Sequence, residues 1–286
     1  MYLWGSLRLY SVSSLSVASW NVNGIRSLLK YDAEIKTLNE FIAKRSVDIL
    51  CLQETKLQSI HVQDVEKVLR SKIPITKCFW NCSTTRKGYS GTAIFILSNS
   101  IDIDDSQVSC GISDDEGDGE GRSITLCTDS FSVVNVYVPN AGSDLKRLNY
   151  RTNIWDRKLA DHIVNLKNSK SGRKVILAGD MNVAHEAIDY HNSLDIRTRK
   201  QPGTTPQEQQ SFKDNFLERC QLVDTFRSCH GNRRSYSFFS GRLGERGRTE
   251  KMGMRLDYML LGGTVSDHAK ANETCDYESY IEEQVD

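Results

Sequence analysis

No Cys-X-X-Cys pair occurs in this sequence, although it holds eight cysteines. Cys51 and Cys127 lie inside apolar, strand-like runs, and Cys78 and Cys82 have no second pair or nearby histidine to complete a zinc site. The cysteines therefore read as reduced thiols of an intracellular protein. Also missing is any apolar run near the roughly 20 residues that a bilayer-spanning helix needs. Net charge is zero, because 37 basic residues balance 37 acidic ones. Binding to a polyanion must then come from a local basic surface or a metal ion. No composition break, Pro/Ser/Gly linker or internal repeat divides the 286 residues, so one domain is expected.

The opening stretch, MYLWGSLRLYSVSSLSVASW, is rich in serine and is followed by no acid until Asp32. Arg8 is its one basic residue before Arg26. Residues 1–15 are assigned as an N-terminal extension, either untidy or a weak mitochondrial presequence, and 16–286 as the domain.

Strand-like runs recur in SVASWNV, VDILCLQE, GTAIFIL, SITLCT, FSVVNVYVP, KVILAGDMN and DYMLL. Between them lie helix-period segments. Ile35, Leu38 and Ile42 mark one over 31–45, and Trp155, Leu159, Ile163 and Leu166 mark another over 149–167. TTPQEQQSF announces a third: Thr205 as N-cap, Pro206 at the first helical position and Glu208 completing a capping box. Its inner stripe is Phe212, Phe216 and Cys220. Strands mixed with helices indicate a layered α/β fold.

Chemistry gathers at strand ends. VILAGDMN, residues 175–182, starts as a buried strand and ends in Asp180 and Asn182. Side chains two apart on a strand point the same way, so a carboxylate and a carboxamide share one face. Other runs repeat the pattern. SVASWNVNG ends in Asn21 and Asn23, DILCLQE in Glu54, and VVNVYVPN delivers Tyr137 and Asn140, while RLDYMLL places Asp257 where an apolar strand begins. Singly, each has a dull explanation: Glu54 as a solvated strand end, Asp180 as a turn former, Asp257 as the surface partner of Arg255. Together they are harder to dismiss, since burying a carboxylate costs several kcal/mol unless something compensates. A hard divalent cation compensates, taking a few carboxylate or amide oxygens and sharing a substrate phosphate. The pattern predicts metal-assisted hydrolysis of a phosphate ester.

The motifs SWNVNGIR, LCLQETK, GYSG, YVPNAG, LAGDMNVAHEAID, TPQEQQSF and RLDY, in that order from about residue 16 to 262, resemble the exonuclease III branch of apurinic/apyrimidinic endonucleases. The wider superfamily includes DNase I and the inositol polyphosphate 5-phosphatases, and QETK, YVPNAG and TPQE favour the abasic-DNA branch. The resemblance implies a four-layer α/β sandwich, two β-sheets face to face with helices outside. It implies Mg2+, with Mn2+ as a substitute, held chiefly by Glu54 with Asn21, Asp180 and Asn182. Asp180 would orient or deprotonate the attacking water, and Asn182 would stabilise the phosphoryl transition state. Tyr137 would donate to the phosphate or the leaving oxygen, and Asp257 would hold a catalytic histidine. Asn23 stands where many relatives carry Asp.

On the DNA side, Arg26, Lys56, Tyr89 and Asn140 match contacts to phosphates or the sugar edge. Phe238, Met254 and Leu256 match the pocket for an abasic sugar turned out of the helix. Met254 replaces an aromatic found in some relatives, so that wall is softer, and Ser143 replaces an arginine that some relatives insert into the duplex. SGRLGERGRTEKMGMR sets Arg242, Arg246, Arg248, Lys251 and Arg255 against Glu245 and Glu250, a local basic surface or a solvated loop. The implied activity is incision of double-stranded DNA 5′ to an abasic site in base excision repair, leaving a 3′-hydroxyl and a 5′-deoxyribose phosphate, with trimming of blocked 3′ ends. A monomer is expected, in the nucleus or, as the second choice, the mitochondrion. Two alternatives stay open: a same-fold hydrolase of RNA or an inositol phosphate, and a catalytically silent DNA-binding truncation.

Two motifs are decoys. SDDEGDGEG at 113–121 lacks EF-hand spacing and reads as a solvated turn. HEAID at 185–189 is not HExxH, because Asp189 occupies the place of the second histidine. In VSDHAK, Asp267 and His268 follow Asp257 sooner than the family's Ser-Asp-His does, and the acidic tail after them has no apolar run. The chain is therefore expected to stop short of both the catalytic histidine and the last strand, which would leave a sheet edge unpaired.

Overall fold

The computed structural model describes residues 5–9, 15–112, 119–170, 172–262 and 277–281. Two six-stranded sheets form its centre. The first has the order β14 (Tyr277–Ile281), β1 (Gly5–Leu9), β2 (Leu15–Asn21), β3 (Ile49–Gln53), β5 (Thr92–Ile96), β4 (Lys77–Asn81). The second has the order β10 (Val223–Asp224), β13 (Asp257–Gly262), β9 (Lys174–Asp180), β8 (Phe131–Tyr137), β7 (Ser123–Cys127), β6 (Val108–Cys110). A hairpin of β11 (Phe238–Phe239) and β12 (Gly253–Met254) stands apart. Strands β2 and β3 run parallel, as do β8 and β9, and the other pairs are antiparallel.

Period-two patterning explains the layering. Leu7, Leu9, Val17, Ile49, Cys51, Ile94 and Ile96 of the first sheet meet Ile124, Leu126, Val133, Ile176, Ala178, Met259 and Leu261 of the second, forming the central core. The opposite face of the first sheet, through Trp20, Leu50, Leu52 and Phe95, packs on Ile35, Leu38, Phe41 and Ile42 of the helix Asp32–Arg45. The outer face of the second, through Val134, Val136, Val175 and Leu177, takes Leu159 and Ile163 of the helix Asp156–Ser169 together with Phe212 and Phe216. Helix, sheet, sheet, helix: this is the expected four-layer sandwich. Among the described residues no helix is long and apolar enough to cross a membrane, and the described cysteines are free thiols.

All seven expected strands are present. Thr205 caps its helix as expected: its hydroxyl accepts from the Glu208 N–H, and the reciprocal Glu208 contact completes the box. Phe212, Phe216 and Cys220 are fully buried. Lys213–Arg219 is π-helical, as is Arg151–Trp155, a widening that a 3.6-residue period does not reveal.

Two expectations about the ends are corrected. Residues 5–9, set aside within an extension, form β1 between β14 and β2, with Leu7 and Leu9 fully buried. The edge expected to lack its last strand is covered by β14, where Tyr277, Ser279 and Ile281 point inward and Glu278 outward. Alternation over only five residues, with two tyrosines and a glutamate, hid this strand inside an acidic tail. His268 and residues 113–118 of the acidic turn lie outside the described residues.

A buried polar tie joins the sheets beside the strand ends. Gln53 Nε2 donates to Asn135 Oδ1 at 2.7 Å and to Ser19 Oγ at 3.0 Å. Asn135 Nδ2 donates to the carbonyls of Leu52 and Ala93 at 3.0 and 2.8 Å. Neither residue is solvent-exposed, so their hydrogen bonds fix the mutual register of β3 and β8.

Candidate active site

The strand ends converge. Asp180 is the cross-strand partner of both Tyr137 and Asp257, and Asn21 is the partner of Gln53, one residue before Glu54. The Asn21 amide spans the gap between the sheets, donating to Glu54 Oε1 at 2.8 Å and Asp180 Oδ2 at 2.9 Å. Asn182 returns to the same point: its N–H donates to Asp180 Oδ1 at 2.8 Å, and its Nδ2 to the Val138 carbonyl at 2.9 Å. Asn140 Nδ2 in turn donates to Asn182 Oδ1 at 2.8 Å. Lys56 Nζ lies 2.8 Å from Glu54 Oε2 and also donates to Asn23 Oδ1. The Tyr137 hydroxyl lies beside Glu54.

Backbone geometry sets these directions. Asn23, Glu54, Lys56 and Asn182 all have φ between 47° and 51°, the left-handed region that costs non-glycine residues free energy. The bends are held from outside. Gly24 N donates to Glu54 O, Lys56 N to Ser90 O, and Met181 N to Leu256 O, each at 2.8 Å. Gly179, just before Asp180, has φ 141°, and a Cβ there would lie 2.0 Å from the Val136 carbonyl oxygen. Only glycine lets β8 and β9 close up beside the site.

Charge in the site is unevenly balanced. Burial alone would raise the Glu54 carboxyl, but the Asn21 amide, the Lys56 ammonium and the Tyr137 hydroxyl outweigh it and hold it below the ordinary range. Asp180 is driven the other way: burial, then the charges of Asp257 and Glu54, push it well above that range. Burial lifts Asp257 to about 6, with Glu54 adding and Ser237 opposing. Burial, then Glu54 and Asp180, push the Tyr137 phenol far upward, so it remains a donor. Among the described residues nothing hydrogen-bonds Asp257 Oδ1.

Glu54, Asp180 and Asp257, the last two raised by burial and by neighbouring negative charge, suit a hard divalent cation. Among the described residues no three Asp, Glu, His or Cys side chains close round a single point. The site instead offers Glu54, Asp180 and the Asn21 amide, a sparse oxygen set of the kind that leaves an ion most of its waters. Asn182 spends both ends of its amide on protein partners, and so does Asn21, whose Nδ2 faces the two carboxylates while its Oδ1 accepts from Asn23 N, so both amides stand behind Glu54 and Asp180 as ligands.

The expected DNA-facing residues fall into two groups. Arg26 is exposed on the turn Ile25–Leu28, whose first residue donates its N–H to the Thr55 carbonyl, one residue before Lys56. Tyr89 is held by two guanidinium groups, with Arg122 Nη2 and Arg147 Nη1 donating to its hydroxyl at 2.7 and 3.1 Å. Arg122 also donates to the Tyr137 carbonyl at 3.0 Å, coupling the two tyrosines. Phe238 and Met254 line a cavity of about 380 Å³ with His191, Asn192, Asp195 and Gln201. Leu256 does not line it: 7 % exposed, it packs with Ala184 and Tyr190. Its N–H donates to Ser237 and its carbonyl accepts from Met181, turning the side chain inward.

Residues 18–268 match the model of the Endonuclease/Exonuclease/phosphatase family. The chain belongs to this family. It is 34% identical over 260 residues to the DNA-(apurinic or apyrimidinic site) endonuclease of Dictyostelium discoideum, covering 90% of this chain and 65% of that protein. The chain thus spans a little under two thirds of that relative. To the exodeoxyribonuclease of Bacillus subtilis (strain 168) it is 35% identical over 254 residues, covering 88% of this chain and 90% of the relative. Among solved structures it resembles the AP endonuclease LMAP from Leishmania major, with a TM-score of 0.72 and 28% identity over 92% of this chain and 80% of the other. As a member of the family the chain is a metal-dependent hydrolase of the nuclease type.

In this family member the support beneath the strand ends was not visible in the sequence. Arg151, 1 % exposed, donates to the carbonyls of Asn182 and Met181 and forms an ion pair with Glu208 at 2.9 Å. The other Glu208 oxygen accepts from Gly203 N and Thr205 Oγ1 at 2.7 and 2.8 Å. The capping box is therefore also the brace for the left-handed turn at Asn182. Arg255, read as a surface partner of Asp257, is fully buried and grips Asp189 at 2.7 and 3.0 Å and Asp224 at 2.7 and 3.1 Å. A polar residue in an apolar run was the signal for Asn135; Arg151 and Arg255 lie in mixed sequence with no such mark.

Proposed function

We propose that this protein is a Mg2+-dependent endonuclease that hydrolyses the phosphodiester 5′ to an abasic site in double-stranded DNA, leaving a 3′-hydroxyl and a 5′-deoxyribose phosphate. One observation carries the reading: Asn21, bridging Glu54 and Asp180 across two sheets, gathers both carboxylates where Lys56 pairs with Glu54 and Asn140 holds Asn182. Glu54, Asp180 and Asn21 would hold the ion, which when bound stabilises phosphoryl charge and acidifies water. Asp180, whose burial favours the protonated form, accepts a proton from the attacking water. Tyr137, kept protonated beside Glu54, donates to the phosphate or the departing 3′-oxygen. Asn182, braced by Arg151, orients an amide toward the crowded phosphorus. The Asp257 Oδ1 atom is available to hold an imidazole.

Trimming of blocked 3′ ends uses the same bond and the same groups, and the exodeoxyribonuclease relative supports it as a side activity. The test is incision of an end-labelled duplex carrying one tetrahydrofuran abasic analogue, compared with intact duplex, RNA and inositol polyphosphates. The abasic duplex is expected to be cut fastest, with loss of cutting in EDTA. Faster turnover of RNA or of an inositol phosphate would replace this reading.

A further inference from the structure

Three hydrogen bonds meet at Ser237, beside the hairpin that carries the cavity wall. Its N–H donates to the Met254 carbonyl at 3.0 Å. Its hydroxyl accepts from Leu256 N and from Asp257 N, both at 3.0 Å. The next residue is Phe238, the cross-strand partner of Met254, and both line the 380 Å³ cavity. Ser237 therefore ties the hairpin to the first residue of β13. The other side of the same short segment is fixed as well. Arg255 N donates to the Asp189 carbonyl at 2.8 Å, and the buried guanidinium grips the carboxylates of Asp189 and Asp224. Asp257 thus enters its strand from a segment held on both sides.

The two N–H groups decide what the Ser237 proton can do. A hydroxyl has two acceptor lone pairs and a single donor. Leu256 and Asp257 take both lone pairs, so the proton is left for a third neighbour. The Asp257 carboxylate lies beside this hydroxyl, which opposes the upward drive of burial on that group. Asp257 is 9 % exposed, and among the described residues nothing hydrogen-bonds its Oδ1 atom. A donor committed to the other oxygen fixes the carboxylate's rotation and leaves Oδ1 as the acceptor for an imidazole.

We infer that Ser237 is a positioning residue for the reaction: its proton holds one oxygen of Asp257 and turns the other outward, while its backbone keeps the cavity wall in register with that carboxylate. This rests on the endonuclease reading. It adds a link between recognition and chemistry, because a sugar seated against Phe238 and Met254 meets an Asp257 aimed by the same residue.

The test is a double-variant cycle on the full chain, read as single-turnover incision of a duplex carrying one tetrahydrofuran analogue. Ser237→Ala is expected to lower the cutting rate about 10–100-fold, the worth of a hydrogen bond to a charged group, with duplex affinity little changed. Ser237→Thr keeps the hydroxyl and is expected to retain the rate. Combined with Asp257→Asn, Ser237→Ala is expected to cost nothing further, since the hydroxyl acts through that carboxylate. Ser237→Cys keeps a weaker acceptor for the two N–H groups and gives the same comparison where the alanine variant yields no soluble protein. Equal losses with and without Asp257→Asn would mark a merely structural role and overturn the inference. An unchanged rate in Ser237→Ala, or an equal loss in Ser237→Thr, would overturn it too. In each case normal incision by the wild type leaves the enzyme reading intact, whereas a wild type that cuts no abasic duplex overturns both.

Discussion

Asp180 and Asp257 face each other as direct partners in the antiparallel pair β9–β13, so two buried carboxylates share one end of a sheet. Without a cation the arrangement is costly, because burial drives both groups upward and the charge of Asp257 adds to the effect at Asp180. Asp257→Asn removes one charge from that pair. In EDTA at pH 7 the variant is expected to be more stable than wild type by about 1–3 kcal/mol in urea unfolding. Its incision rate is expected to fall about 10²–10⁴-fold. A variant that is both less stable and fully active would contradict the assigned role.

The Arg151–Glu208 brace yields a stability prediction. Removing one partner of a buried pair leaves the other charge uncompensated, so Arg151→Ala is expected to cost about 3–5 kcal/mol. Glu208→Gln keeps one acceptor for Thr205 and Gly203 and is expected to cost less. Urea denaturation of both variants checks the order, and a larger loss in Glu208→Gln than in Arg151→Ala would contradict it.

Gly179→Ala asks for a Cβ 2.0 Å from a backbone oxygen in the middle of the second sheet. Neither β8 nor β9 can yield without disturbing Tyr137 or Asp180. The expected loss is at least about 3 kcal/mol, or no soluble protein at all, read by thermal unfolding and soluble yield.

How much of this was legible in the sequence follows from where each residue sits. Strands with long apolar runs, such as VILAGDMN, revealed themselves and carried their terminal acids with them. The Asn21 bridge to Asp180 was not legible, because it depends on how two sheets stack rather than on either strand. β1 and β14 were overlooked because each is five residues long and lies beside segments of unlike composition. That Leu256 stands outside the cavity lined by Phe238 and Met254 has a related reason: a single residue just before a strand turns in or out according to its neighbours' hydrogen bonds.

Acid sensitivity outside the site is expected from His162. Burial holds its imidazole below the ordinary range, and its ring nitrogen is 2.8 Å from Thr125 Oγ1. The unfolded chain protonates this group first. Its contribution is therefore complete above the free histidine value of about 6.5 and is lost as pH falls through that value toward the folded one. Unfolding midpoints taken from pH 7.5 down to 5.5 should fall, and His162→Asn should flatten the slope; an unchanged slope would assign the effect elsewhere.

The most direct test of the central claim is a Mn2+ titration followed by electron paramagnetic resonance, on wild type, Glu54→Gln and Asp180→Asn. Saturable binding at one site in the wild type, weakened at least about tenfold in each variant, is the predicted result. Equal Mn2+ affinity in all three proteins would contradict the account, because the converged strand ends would then not be what holds the ion.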